Sequence, residues 1–209
     1  MPGQTWFASA LIFLLMWLAM MVAMMMPSAL PMFLDTRRSR ARTTGANAPA
    51  FLTFVAAGYF SIWLAVGAVI YPLGMAFAAT AMRWQSFSRA VPVLSAAALL
   101  AAGSFQFTRL KMTGLLRCRA PLGCAANCIG HKISFHLGCQ QGAACCVCCV
   151  APMTIQLALG IMNPLVMAGV ASVIAAEKLL PRPEIVSRLI GVAAIAAGIG
   201  RMTRILLTH

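Results

Sequence analysis

The sequence predicts an all-α fold, a polytopic transmembrane helical bundle of about six spanning helices. Three observations predict it. Hydrophobic residues make up 62% of the 209 and charged residues only 9%, where a soluble domain carries about a quarter charged residues. The apolar residues fall in long continuous runs, as spanning helices require, and not in the alternation of barrel strands. The basic residues, 16 against 3 acidic, cluster in short gaps between those runs. A soluble globular domain and a disordered chain are both excluded on composition. The net charge of +13 is therefore a topology signal and not a nucleic-acid face. The first partner expected is the lipid bilayer, and no nucleic acid is expected.

The elements follow in order. No charged side chain precedes Asp35, so a first helix fits Trp6 to Met26 with an extension to Leu34. Pro27 is expected to kink or end it and to free carbonyls near Met24 to Met26. A basic cytoplasmic loop over 35–48 follows, with a flexible linker from Arg37 to Ala48. The uncharged stretch Thr43 to Met82 holds a second helix, about Ala50 to Met75, and Ala90 to Thr108 a third. A Cys-containing cytoplasmic loop is expected over 109–137. Ile133 to Ala176 lacks Asp, Glu, Lys and Arg, and should hold two helices split near Asn163-Pro164. A sixth runs about Ile185 to Leu207, with Arg188 and Arg201 expected to snorkel toward headgroups. Ala193 and Ala197, four apart on it, are expected to support helix packing. The whole chain, 1–209, reads as a single membrane-embedded domain.

The gaps after helices one, three and five hold twelve of the sixteen basic residues, leaving Arg83, Arg89, Arg201 and Arg204 opposite. The positive-inside rule puts the twelve in the cytoplasm and both termini outside. No Lys or Arg precedes helix one, which argues against a cleaved signal peptide.

All 8 cysteines lie between Cys118 and Cys149. Cys145, Cys146, Cys148 and Cys149 form a run that, on a helix, covers an arc of roughly 160°. Val147 points away from that arc, while Gln141, Met153 and Gln156 fall within or near it. Such a face offers thiols, a thioether and amides, a surface suited to Cu(I), Zn(II) or related soft ions. The opposing reading is packing, since cysteine is a small apolar residue. Cys118, Cys124, Cys128 and Cys139 lie in or beside the loop, with His131 and His136 as candidate imidazole ligands. A reducing cytoplasm would keep these thiols free. Methionine is the second anomaly, 15 in all. Met16, Met20 and Met24, and Met21 and Met25, repeat at i,i+4 on helix one, and Met20, Met24 and Met25 are candidate thioether ligands. Glu177, at the end of helix five, is a functional candidate as an acid near the membrane edge. Its alternative is an ion pair with a loop arginine.

Three blocks in this order resemble a bacterial family of predicted metal-binding integral membrane proteins. The first is W-x-x-M-x-x-A-M-M-x-P, here Trp17, Met20, Ala23, Met24, Met25 and Pro27. The second is L-K followed by C-R-x-P, here Leu110, Lys111, Cys118, Arg119 and Pro121. The third is G-x-x-x-G-x-x-C-x-x-C-C and a methionine, here Gly138, Gly142, Cys145, Cys148, Cys149 and Met153, continuing to Gly160-Ile161-Met162-Asn163 and Glu177-Lys178. The resemblance implies metal binding and a bacterial inner-membrane location, and Lys111 of the second block is a further functional candidate. The chain departs from the family pattern at Gly114, where a cysteine is usual, at Val147, where glycine is usual, and at Val150, where tryptophan is usual. Cys124, Cys128, Cys139 and Cys146 look additional, and a further N-terminal helix common in the family is not seen.

The function expected is binding of a soft metal ion, Cu(I) ahead of Zn(II), through Cys and Met side chains, and its transport or transfer. The partner would be a metallochaperone or a membrane metalloenzyme. The first alternative is an accessory or assembly partner of such an enzyme, and a lesser one is a membrane thiol oxidoreductase. The expectation is that the protein is not an enzyme. A ligand path lined from face to face would favour transport, and a single dead-end site the accessory role.

Overall fold

The computed structural model describes residues 6–43, 48–120, 131–160 and 163–207, and these are all-helical. In chain order the helices are α1 (Trp6–Thr43), α2 (Ala48–Arg83), α3 (Gln85–Phe105), α4 (Arg109–Arg119), α5 (His131–Leu159), α6 (Pro164–Leu179) and α7 (Pro183–Leu207). Four of them, α1, α2, α5 and α7, are long and apolar enough to cross a membrane. The pair α3 and α4, bent by 66°, makes a fifth if counted as one span. With 16 residues, α6 extends only ~24 Å, short of the ~30 Å of a hydrocarbon core.

Several sequence expectations meet a different structure. Pro27 does not end the first helix, because α1 runs through both Pro27 and Pro31 to Thr43. The Ser28 hydroxyl donates to the Met25 carbonyl at 2.9 Å, so that acceptor is not left open. Helix, not a flexible linker, continues from Arg37 to Thr43. Within the expected loop 109–137, residues 109–119 form α4, and α5 begins at His131. The split near Asn163-Pro164 is present. Gly160, at φ 122, follows α5 in the left-handed region that favours glycine. Asn163 then caps α6, its side chain accepting from the Leu165 and Val166 amides, with Pro164 in the first turn.

The chain divides into two compact units. The first comprises residues 1–78 and 119–144, and so contains α1, most of α2 and the start of α5. Here α2 and α5 pack backbone to backbone. A Cβ on Gly58 would collide with the Phe135 carbonyl, and one on Gly138 with the Val55 carbonyl. Glycines at 58 and 138 let the two helix backbones approach this closely. Phe51 and Val55 form the core there with Phe33, Leu52 and Leu137 around them. The Trp17 indole donates to the Trp63 carbonyl at 2.9 Å, tying α1 to α2.

The second unit comprises residues 79–118 and 145–209. Its helix packing centres on α3 against α7. The α7 stripe that faces inward is Ser187, Gly191, Ala194 and Gly198. Cβ atoms on Gly191 and Gly198 would crowd Phe107 and Leu100. Ala193 and Ala197, expected at the packing face, are both exposed, since they lie on the far side of that stripe. Arg201 does not snorkel outward. It is half-buried and donates to the Ala158 carbonyl at 2.8 Å, closing one of the orphan acceptors at the end of α5.

Candidate metal centre

The second unit collects its polar side chains around the cysteine run. Four thiols fall on α5 at 145, 146, 148 and 149, and the helix decides which turn inward. Cys145, Cys148 and Cys149, at i, i+3 and i+4, share a face and are at most 1% exposed. Cys146 lies to the side and is only partly buried. On α4 the inward residues are Lys111, Gly114, Leu115 and Cys118, again one helical stripe. That stripe brings Cys118 to the α5 thiols.

The Sγ atoms of Cys118, Cys145 and Cys148 all lie within 4.8 Å of one another, and all three residues are buried. Cys149 adds a fourth sulfur, 3.8 Å from Cys145 and 3.6 Å from Cys148. With metal–sulfur bonds of about 2.3 Å, thiolates on one ion stand ~3.8–4.0 Å apart, tetrahedral or trigonal. The spacing and the chemistry of this donor set therefore fit a soft ion. It is the one such group of His, Cys, Asp and Glu among the described residues.

Two lysines and a glutamate surround the sulfurs. Lys178, in the last turn of α6, donates from Nζ to Cys145 Sγ at 3.0 Å. Lys111 donates to Glu177 Oε2 at 2.7 Å and to the Cys148 carbonyl at 2.6 Å. The Lys111 and Glu177 side chains are 0% and 2% exposed. Buried charges persist only when paired and hydrogen-bonded, and here the pair ties α4 to α6 and to the backbone of the thiol helix. The partner of Glu177 is thus a lysine of α4 and not a loop arginine. An ammonium beside Cys145 offsets the charge of a thiolate, which is the metal-binding form.

Met153 is half-buried on α5. Met20, Met24 and Met25 are on α1, in the first unit, where Met24 and Met25 are buried, Met20 is half-buried and Met16 is exposed. His131 and His136 are exposed, the first against Phe54 and the second beside Gln140. Cys139 is 3.7 Å from the Ser61 hydroxyl. Cys124 and Cys128 lie outside the described residues. Sequence reasoning missed Lys178 as a sulfur partner. The signal was the adjacent pair Glu177-Lys178, which a helix turns about 100° apart toward two different partners.

A family model described as PpoB2, copper chaperone, matches residues 14–200. The chain belongs to this copper chaperone family. The match takes in all three blocks, from Trp17 to Lys178, and every thiol of the centre. No curated protein and no solved structure matches the chain.

Gly114 of α4 and Val147 of α5 meet in space. A Cβ on Gly114 would lie 3.0 Å from Val147 Cγ1 and 3.4 Å from the Cys148 amide nitrogen. Room for a side chain at 114 is taken by the one at 147. Gly114→Ala should therefore destabilise the protein by about 1–3 kcal/mol, as overpacking does. Adding Val147→Gly should recover much of the loss. Thermal unfolding of the detergent-solubilised protein checks this, and equal losses in single and double variants would contradict it.

Proposed function

We propose that the protein is a membrane-embedded copper chaperone that holds Cu(I) as cargo on Cys118, Cys145 and Cys148 and hands it to an acceptor. The observation that carries this is the convergence of buried thiols from two helices within bonding distance of one ion. Three thiolates satisfy Cu(I), and Cys149, against two of them, offers a fourth sulfur for exchange. Soft ligands of similar strength let an ion move from one to another without a deep trap. In this reading the protein carries cargo and is not an enzyme.

A single compact donor group, among the described residues, supports holding and delivery over conduction along a lined path. The acceptor is then a metallochaperone or a membrane metalloenzyme, and in the second case the protein acts as that enzyme's assembly partner. Four long apolar helices support a multi-pass inner-membrane location, with the basic side and the loop preceding α5 cytoplasmic.

Loading the purified protein with Cu(I), anaerobic and reduced, tests the reading. Copper should bind stoichiometrically, resist excess Zn(II), and pass to a soluble Cu(I) chelator that bare aqueous dilution does not satisfy. Binding of Zn(II) in preference, or copper that no acceptor can withdraw, would sink it.

A further inference from the structure

A cavity of about 520 Å³ opens at the bend between α3 and α4, beside the start of α7. Small-ligand sites span about 300–1,000 Å³. Its polar lining is Gln106, Thr108, Arg109, Glu184, Ser187 and Arg188. Neither guanidinium has an ion-pair partner among the described residues, although Glu184 precedes Arg188 by one helical turn. Gln106 is only 3% exposed. Its Oε1 accepts from the Ser187 hydroxyl at 3.0 Å, and its amide lies beside the Glu177 carboxylate. The N-terminus of α4, where Thr108 Oγ1 accepts from the Lys111 amide, adds a further preference for negative charge.

The lining therefore describes an anion site. Two guanidiniums against one carboxylate leave a single positive charge, matched by one phosphodiester. The surroundings distinguish the source of that group. Phe107 and Met112 line the cavity beside the arginines, and Leu110, Ile185 and Leu189, next to lining residues along the chain, are exposed, so cationic and apolar groups adjoin, as at a headgroup–acyl boundary. The proposed topology assigns Arg109 and Arg188 to the cytoplasmic side, where anionic lipid and basic interhelical pockets meet. We infer that this cavity binds the phosphodiester of a phospholipid headgroup, with Arg109 and Arg188 as charge partners.

This rests on the membrane reading above, and the test separates the two. The full chain is purified in detergent, exchanged to strip lipid, and titrated with phosphatidylglycerol in mixed micelles while bound lipid is counted by native mass spectrometry. The parent should bind one lipid saturably. Arg109→Gln with Arg188→Gln should weaken that binding at least about tenfold, Glu184→Gln should tighten it, and Arg117→Gln, an exposed control on α4, should leave it unchanged. Copper loading of the double variant confirms its fold, and the single variants, each with a partial loss, serve if it misfolds. Equal lipid binding by the double variant and the parent would overturn the site. So would tight binding of inorganic phosphate in place of the lipid. A protein that stays monodisperse without detergent would sink the membrane reading itself.

Discussion

Cys145→Ser combined with Cys148→Ser will abolish stoichiometric Cu(I) binding. Each replacement takes a soft donor from a buried site, and two together leave only Cys118 and Cys149 as sulfur ligands. Loss should exceed about a hundredfold in affinity, near 2.7 kcal/mol, read by competition with a Cu(I) chelator. Cys118→Ser should weaken binding nearly as far, because its sulfur is the one contributed by α4. Cys146→Ser, on the same run but half-buried, should change affinity little. Those contrasts separate a site from a merely thiol-rich helix. If Cys146→Ser costs as much as Cys145→Ser, the assignment of ligands by helix face is wrong.

Lys111→Met will destabilise the protein more than any substitution at an exposed arginine. The ammonium it removes is wholly buried and holds both Glu177 and the Cys148 carbonyl. Breaking one side of a buried ion pair costs about 3–5 kcal/mol, because the remaining charge stays in a low-dielectric interior. Removing both charges costs far less. Lys111→Met with Glu177→Leu should therefore recover more than half of the stability lost, by thermal unfolding in mild detergent. Copper affinity should not recover to the same degree, since the Cys148 carbonyl still lacks its donor. A double variant as unstable as the single one would show that the pair matters by shape and not by charge. Lys178→Met is expected to act differently, lowering copper affinity with a smaller stability cost, because its partner is the Cys145 sulfur.

Much of this was legible in the residues, and the exceptions have physical causes. The break before α6 was readable because Gly160, Asn163 and Pro164 are local signals that act over one turn. The cysteine run was readable for the same reason, since helical spacing alone orders its four side chains. Helix α4 was hidden by its charges. Arg109, Lys111, Arg117 and Arg119 interrupt any apolar window, yet Lys111, Leu115 and Cys118 repeat at helical spacing and turn inward. A lysine read as a topology marker proved to be an interior group, because Glu177 is there to receive it. Such pairing joins residues 66 positions apart, and no local pattern announces it. The inward turn of Arg201 was likewise set by a distant acceptor, the Ala158 carbonyl at the end of α5. The packing stripe of α7 follows glycines and Ser187 rather than the alanines, because the Phe107 and Leu100 side chains leave no room for a Cβ at Gly191 and Gly198.

The central claim is that Cu(I) sits on the sulfurs of Cys118, Cys145 and Cys148. Copper K-edge X-ray absorption on the anaerobically loaded protein tests it most directly. The predicted result is Cu(I) in an all-sulfur shell of three ligands at about 2.3 Å, falling to fewer sulfurs in Cys118→Ser. A shell containing nitrogen or oxygen in the parent, or one unchanged by loss of Cys118, would contradict it.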